Sequence, residues 1–265
     1  FDHPPLATWM QACLLFFSEN KYFSIRALPV VSLGLIMTIM ILWQQHIFKK
    51  LTYHICLKSV VLFLAFPIYS IFLSISFPDY LLIALLFASS FCLFLYFEVN
   101  NKSNNRIFYW YLAVLLFSLA LLTKYNAILL GAGVLAYILY NKKQIGGPSF
   151  GHLVVSIVII LSIQTPVFVW NLINEFASFS FHLSERLDEG KTLPTAFRNV
   201  AGFLLGVLLA FSPIFIFNLK NNYNLADYSE DRKNFINMSK FVFLFSVTFC
   251  VFLSFFTNVL YYWST

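Results

Sequence analysis

The sequence predicts an all-α, polytopic transmembrane helical bundle, and three observations lead there. Hydrophobic residues make up 60% of the 265 and charged residues 11%, against about 45–50% and about 25% in ordinary soluble domains. Too few charges remain to coat a soluble globule once a core is filled. The apolar residues also gather into runs about as long as a bilayer-crossing helix needs, roughly 20 residues for a hydrocarbon core of about 30 Å. Gly and Pro, nine of each, are too sparse for a collagen-like, linker or disordered chain.

The first element is short. Pro5 to Phe17 is apolar, bounded by Asp2-His3 and by Ser18-Glu19-Asn20-Lys21. At about 13 residues it falls short of a span, which predicts an interfacial helix lying along the membrane surface. Pro4-Pro5 suits its first turn. Eight spans follow, over 28–45, 59–77, 80–97, 107–122, 126–140, 152–170, 199–218 and 241–260. The fourth and fifth are separated on energetic grounds. As one helix, Ile107 to Tyr140 would be about 50 Å long with Lys124 at mid-membrane, where a lone Lys costs at least about 2.5–3.5 kcal/mol. A break at Thr123-Lys124-Tyr125-Asn126 brings Lys124 to an interface instead.

Cys13, Cys56, Cys92 and Cys250 lie in apolar stretches without the CxxC spacing of a zinc site, and read as buried, unpaired packing residues. Gly202 and Gly206 form a GxxxG in a predicted span, read as helix packing. The chain starts with Phe1 and stops directly after an apolar run. It reads as one transmembrane domain over 1–265, expected to be incomplete at both ends.

The loops alternate between two sides. One holds Lys49, Lys50, Lys58, Lys102, Arg106, Lys142, Lys143, Lys220, Arg232, Lys233 and Lys240 against Glu98, Asp227, Glu230 and Asp231, eleven cations to four anions and a net of +7. The other holds Lys21, Arg26, Lys124, Arg186, Lys191 and Arg198 against Asp2, Glu19, Asp79, Glu175, Glu185, Asp188 and Glu189, six to seven and a net of −1. Cytoplasmic loops carry the cations, so the first side is expected inside. The overall +6 is thus a topology signal. Basic residues scattered in pairs over short loops form no stripe for nucleic acid, and no such partner is expected.

Polar groups on the outer side are the candidates for chemistry. Asp2-His3 sets a carboxylate and an imidazole before two prolines, suited to acid–base work or metal ligation. Asp before Pro-Pro is equally a helix-capping turn. Asp79, opening a span after Pro78, is costly beside hydrocarbon unless it is partnered, although a helix N-terminus alone also favours an acid there. Lys124 and Arg26 suit an anionic lipid headgroup, Lys as a point charge and Arg as a phosphate fork; snorkelling without a specific partner is the plainer reading. In the loop from Asn171, the residues Phe176, Phe179 and Leu183 recur at helical spacing, as on an amphipathic interfacial helix. His182 and Arg186 would share one face of it, and that face suits a sugar or phosphate.

Asp2-His3-Pro4-Pro5-Leu6, Arg26-Ala27-Leu28-Pro29, Pro78-Asp79, Leu122-Thr123-Lys124-Tyr125-Asn126 and Pro166-Val167-Phe168-Val169-Trp170-Asn171 occur in this order. In that order they resemble bacterial relatives of the protein O-mannosyltransferases. The chain is similar to the GT-C glycosyltransferase superfamily, near the lipid A aminoarabinose and galacturonic acid transferases, from residue 1 to about 186. The resemblance implies a GT-C-like bundle in the bacterial inner membrane. It would transfer a sugar from a polyprenyl-phosphate donor to a lipid, glycan or protein acceptor on the periplasmic face. Asp2 and Asp79 would then be catalytic, while His3, Arg26, Lys124, Tyr125, Asn171, His182 and Arg186 would contact substrates. His3 would lie beside the donor phosphate and Lys124 near the lipid-phosphate region. Cations, with a divalent metal as a candidate cofactor, would stabilise the leaving phosphate.

A secondary transporter or flippase is the alternative without transferase activity. It would show internal repeats and charges near the midplane, whereas here no self-similar halves are found and the charges cluster on one face. A membrane acyltransferase would need a catalytic His within a span, and His46, His54 and His152 fall at expected cytoplasmic ends.

Overall fold

The computed structural model describes residues 4–18, 20–48, 53–65, 78–98, 104–141, 147–180, 193–210 and 230–256. Among them the ordered secondary structure is helical: α1 Leu6–Leu15, α2 Lys21–Phe48, α3 Tyr53–Ala65, α4 Asp79–Glu98, α5 Asn104–Leu121, α6 Ile128–Tyr140, α7 Phe150–Ile173, α8 Leu193–Ala210 and α9 Glu230–Ser254. A 3-10 turn, Tyr125–Ala127, precedes α6, and a single helical turn, Ala177–Ser180, follows α7. Within α2, α4, α7 and α9 lie stretches long and apolar enough to cross a membrane: Lys21–His46, Asp79–Glu98, Phe150–Ile173 and Lys233–Ser254.

The helices outrun the apolar windows because a hydropathy run marks the membrane-facing stretch rather than the helix end. Thus α2 begins at Lys21, ahead of the expected Leu28, and carries Arg26 on its first turns. Asn20 starts it, its side-chain oxygen accepting the Tyr22 and Phe23 N–H groups at 3.0 and 3.4 Å, a standard N-cap. Likewise α9 begins at Glu230, ahead of the expected Phe241, since its polar first turns continue the same helix. The expected span ends at 66–77, 211–218 and 257–260 lie outside the described residues.

The chain divides into two compact units. One comprises residues 3–127 and 148–167, the other 1–2, 128–147 and 168–265.

In the first unit, α4 is the central helix: 67% of its apolar window is buried, against 28% for α2 and 17% for α7. Small residues let α5 lie close against it. Ala84, Ala88 and Ser89 of α4 and Ala113 and Ala120 of α5 are all buried, and Ser89 Oγ donates to the Ala113 carbonyl at 2.9 Å. Backbones approach through small side chains in membranes because lipid tails compete with larger ones for apolar contact. On α2, Trp43 packs among Phe87, Phe91 and Phe94 of α4 with ring centroids 5.4–5.5 Å apart. Polar side chains join α5 to the first part of α7. Trp110 Nε1 donates to Ser156 Oγ at 2.8 Å, Tyr111 Oη lies 2.7 Å from His152 Nδ1, and Gln164 Nε2 donates to the Ser118 carbonyl at 2.9 Å.

The two ends of the antiparallel pair α4 and α5 differ. At one end Arg106 Nε donates to the Tyr96 carbonyl at 3.1 Å and the guanidinium lies 4.4 Å from the Tyr96 ring centre; His46 pairs with Glu98 nearby on α4. The other end holds Asp79, the Leu122–Ala127 turn and α1, over a core of Ala7, Leu28, Leu81, Leu82, Leu85, Ala120 and Ala127.

In the second unit, α6 packs on α9, with Leu129, Phe203 and Cys250 at the core. The close approach is at Gly133, where an added Cβ would lie 3.2 Å from Val242 Cα. At Gly202, by contrast, an added Cβ meets nothing within 4 Å. The GxxxG reading is therefore corrected at that residue: Gly202 faces open space, while Gly133 lies where α6 packs closely on α9. Cys92 and Cys250 are buried and free, but Cys13 is free and exposed, because α1 leaves one face uncovered. The side chain of Cys56 lies outside the described residues.

Candidate functional site

The site is built from two turns at one end of the first unit. Pro78 and Asp79 open α4, and the Leu82 N–H already bonds the Pro78 carbonyl at 3.1 Å. Across from them α5 ends at Leu121. The Thr123 and Lys124 N–H groups both return to the Ala120 carbonyl, at 2.9 and 3.0 Å, and the Ala127 N–H takes the Lys124 carbonyl at 3.2 Å. Thr123 Oγ1 donates to Leu119, so this fully buried hydroxyl is satisfied within its own helix end. The turn thus closes on its own hydrogen bonds and sends the Lys124 side chain inward, with Leu122, Thr123, Lys124 and Ala127 all buried.

There Lys124 Nζ donates to Asp79 Oδ1 at 2.7 Å, with the two side chains 7% and 5% exposed. Each resolves the question the sequence posed about the other. The carboxylate that needed a partner beside hydrocarbon has one, and the ammonium expected to seek a lipid headgroup is engaged by a protein carboxylate. A buried pair is held only when its geometry offsets the desolvation of both charges. Asp79 Oδ2 is buried without a hydrogen-bond partner, whereas most buried polar atoms in folded proteins have one.

The interfacial helix is tied to the same turn. Pro5 is the N-cap residue of α1 and offers no side-chain cap, and the Leu6 N–H bonds the Leu122 carbonyl at 3.0 Å. A tertiary contact therefore satisfies one of the four donors that a helix start leaves open. The segment that follows Asp2-His3 is in this way pinned two residues from Lys124 in sequence. This contact was not legible beforehand, since backbone-to-backbone bonds between turns leave no residue-type signal.

Of the remaining candidates, Tyr125 is half-buried in the 3-10 turn beside Lys124, and Arg26 is exposed on α2. Asn171 belongs to the second unit. It is almost fully buried, its side-chain oxygen accepts the Ser178 N–H at 3.2 Å and its carbonyl accepts the Phe176 N–H at 2.7 Å. It braces a turn in which Glu175 and Phe176 have φ of 53° and 58°, a conformation uncommon for residues other than Gly. Phe176 consequently sits in that turn and not on the expected amphipathic helix, of which the described part is Ala177–Ser180. Asp2, His3, His182 and Arg186 lie outside the described residues.

Among the described residues, no group of three or more His, Cys, Asp and Glu side chains comes together. At the pair itself, a cation would find the single oxygen Oδ2 beside an ammonium that repels it. These described residues do not fit a metal site.

A family model described as dolichyl-phosphate-mannose-protein mannosyltransferase matches residues 2–170. The fold is similar to that of ArnT from Cupriavidus metallidurans bound to undecaprenyl phosphate, with a TM-score of 0.66 at 16% identity over 99% of this chain and 47% of that one. The same protein in the apo state gives a TM-score of 0.69 at 18% identity, over 100% and 47%. The chain therefore spans about half the length of these structures. No curated protein matches it by sequence.

Proposed function

Because the chain belongs to the dolichyl-phosphate-mannose-protein mannosyltransferase family, we propose that it is part of a membrane glycosyltransferase of GT-C type. It moves a sugar from a polyprenyl-phosphate carrier to a lipid, glycan or protein acceptor at the periplasmic face of a bacterial inner membrane. The observation that carries this reading is the buried Asp79–Lys124 pair at a bundle end, joined through Leu122 to the helix that follows Asp2-His3. Charged residues buried at a membrane edge default to functional candidates. That ArnT of the same fold was solved with undecaprenyl phosphate supports a polyprenyl-phosphate donor. The charge asymmetry of the loops supports the periplasmic face.

In this proposal the acceptor hydroxyl oxygen attacks the anomeric carbon, and the bond from that carbon to the phosphate oxygen breaks. The electron pair leaves on the phosphate, and the hydroxyl proton passes to a carboxylate. Single displacement inverts the anomeric centre. Asp2 and Asp79 are the carboxylates available to take the proton or to orient substrate. His3, Arg26, Tyr125, His182 and Arg186 contribute to substrate binding, the cations among them stabilising the leaving phosphate, while Asn171 shapes the loop it braces.

The test is sugar transfer from labelled polyprenyl-phosphate donors by the protein expressed from its complete open reading frame. Asp79→Asn is expected to lower the rate by about 100-fold or more, the usual scale for a group that acts on a proton in flight or fixes substrate geometry. Full activity in that variant removes Asp79 from the mechanism. No transfer by the wild type from any donor favours the transporter reading.

A further inference from the structure

The turn that closes α7 breaks two local rules at once. Glu175 and Phe176 have φ of 53° and 58°, a left-handed conformation that helix ends usually give to Gly or Asn, since a Cβ is strained there. Glu175 also sets a carboxylate two residues past Ile173, the last residue of α7, at the end of the helix dipole that favours cations. Glycine at both positions would make the same turn without strain. Core packing does not account for the two side chains, because residues 174–177 are all exposed, Phe176 at 50%. Among the described residues the Glu175 carboxylate has no ion-pair partner.

Hydrogen bonds nevertheless hold this backbone. Buried Asn171 takes the Ser178 N–H on its side chain and the Phe176 N–H on its carbonyl. The Ala177 and Ser180 N–H groups return to the Asn174 and Phe176 carbonyls at 3.0 and 2.9 Å. Strained backbone persists only where its surroundings over-determine it, and it gathers at ligand sites. What the strain secures here is a carboxylate and an aromatic ring held on adjacent exposed residues. A sugar matches that pairing: its hydroxyls donate to the carboxylate in charge-assisted bonds, and the apolar C–H face of a pyranose covers the electron-rich face of the ring. Hydrocarbon does not, since a carboxylate beside it is costly, and a phosphate would be repelled.

Resting on the glycosyl transfer proposed above, we infer that Glu175 and Phe176 form a pyranose-binding subsite at the end of α7, with Asn171 as its positioning residue. Asn171 does not touch the sugar; it holds the turn that presents the two side chains. The subsite belongs to the second unit, whereas the Asp79–Lys124 pair belongs to the first. The ring it takes is carried by the donor lipid or by the acceptor, and the two sources are separated by experiment.

The experiment uses the complete protein in lipid nanodiscs and measures Kd for three probes: undecaprenyl phosphate, the same lipid carrying a hexose, and a soluble methyl hexopyranoside followed by saturation-transfer NMR. Glu175→Gly/Phe176→Gly keeps the backbone conformation and removes both side chains. It should melt no lower than wild type and bind bare undecaprenyl phosphate within about threefold of it, yet lose about 10-fold or more in affinity for a sugar probe. A loss for the lipid-linked hexose assigns the subsite to the donor sugar; a loss for the free glycoside alone assigns it to the acceptor. Asn171→Ala keeps both side chains but frees the turn, and should weaken the same probe. Added to the glycine pair it should cost no further affinity, because it acts only through those two residues; Asn171→Ala with full sugar affinity overturns its positioning role. A folded glycine pair that binds both sugar probes as wild type does overturns the inference and leaves Phe176 as a bilayer contact. So does a glycine pair that melts well below wild type or loses undecaprenyl phosphate itself, which would make the two side chains structural. Wild type that binds the lipid phosphate, but neither prefers its hexose form nor binds the glycoside, overturns it as well. Wild type that binds none of the three probes overturns the proposed function, an outcome distinct from these.

Discussion

Lys124 Nζ lies 2.7 Å from Asp79 Oδ1 across 45 positions of sequence, joining the turn after α5 to the first residue of α4 with both side chains buried. Antiparallel packing of the two helices makes this possible, since it sets the start of one beside the end of the other. The pair's energetic signature differs from that of either charge alone.

Lys124→Met is expected to destabilise the protein by about 3–5 kcal/mol, because it strands a buried carboxylate. Asp79→Leu/Lys124→Met should recover most of that loss, since exchanging a buried pair for apolar groups of similar volume is often neutral or better. Thermal unfolding in detergent, followed by size-exclusion fluorescence, distinguishes the two. A single variant as stable as wild type would show that the ammonium is not required there.

Gly133 should tolerate substitution poorly. An added Cβ meets Val242 Cα and Cγ2 at 3.2 Å and Cγ1 at 3.3 Å, so Gly133→Ile is expected to force α6 and α9 apart at about 1–3 kcal/mol. Gly202→Ala is the comparison. Its added methyl meets open space, and the exchange should be neutral or stabilising by up to about 1 kcal/mol through helix propensity. Thermostability of the two variants in one detergent checks the ordering.

Orientation is tested by labelling. Exposed Lys21 starts α2 at the end expected to face the periplasm, and exposed Ser149 precedes α7 at the end expected to face the cytoplasm. In a background without the native cysteines, Lys21→Cys should react with a membrane-impermeant maleimide in intact spheroplasts, and Ser149→Cys only after permeabilisation. The reverse pattern would turn the active face inward.

Much of this architecture was legible because membranes make sequence simple. Backbone groups in hydrocarbon must bond internally, so long apolar runs read as helices, and a lone Lys between two of them forces a break. The chain leaves the helix at Leu122–Thr123 and passes through Lys124 into the 3-10 turn Tyr125–Ala127, overlapping the break expected at Thr123–Asn126. What escaped reading was pairwise. Asp79 and Lys124 each signalled a need for a partner, but topology alone did not say that the partner was the other. Gly202 and Gly206 matched a packing pattern that apolar sequence produces often by chance, while Gly133, with Gly131 two residues before it, carried the contact without the motif. Phe176, which the spacing with Phe179 and Leu183 placed on one helical face, sits instead in a turn braced by Asn171, whose hydrogen bonds turn the chain at Glu175 and Phe176.

That the Asp79–Lys124 pair serves glycosyl transfer, and not merely folding, is tested most directly by the activity of a folded enzyme that lacks both charges. Transfer of labelled sugar from a polyprenyl-phosphate donor should be compared between wild type and Asp79→Leu/Lys124→Met, both from the complete open reading frame and both shown to be monodisperse with similar Tm. The double variant is expected to be folded, with a transfer rate lower by about 100-fold or more. A folded double variant that transfers sugar at the wild-type rate would contradict it.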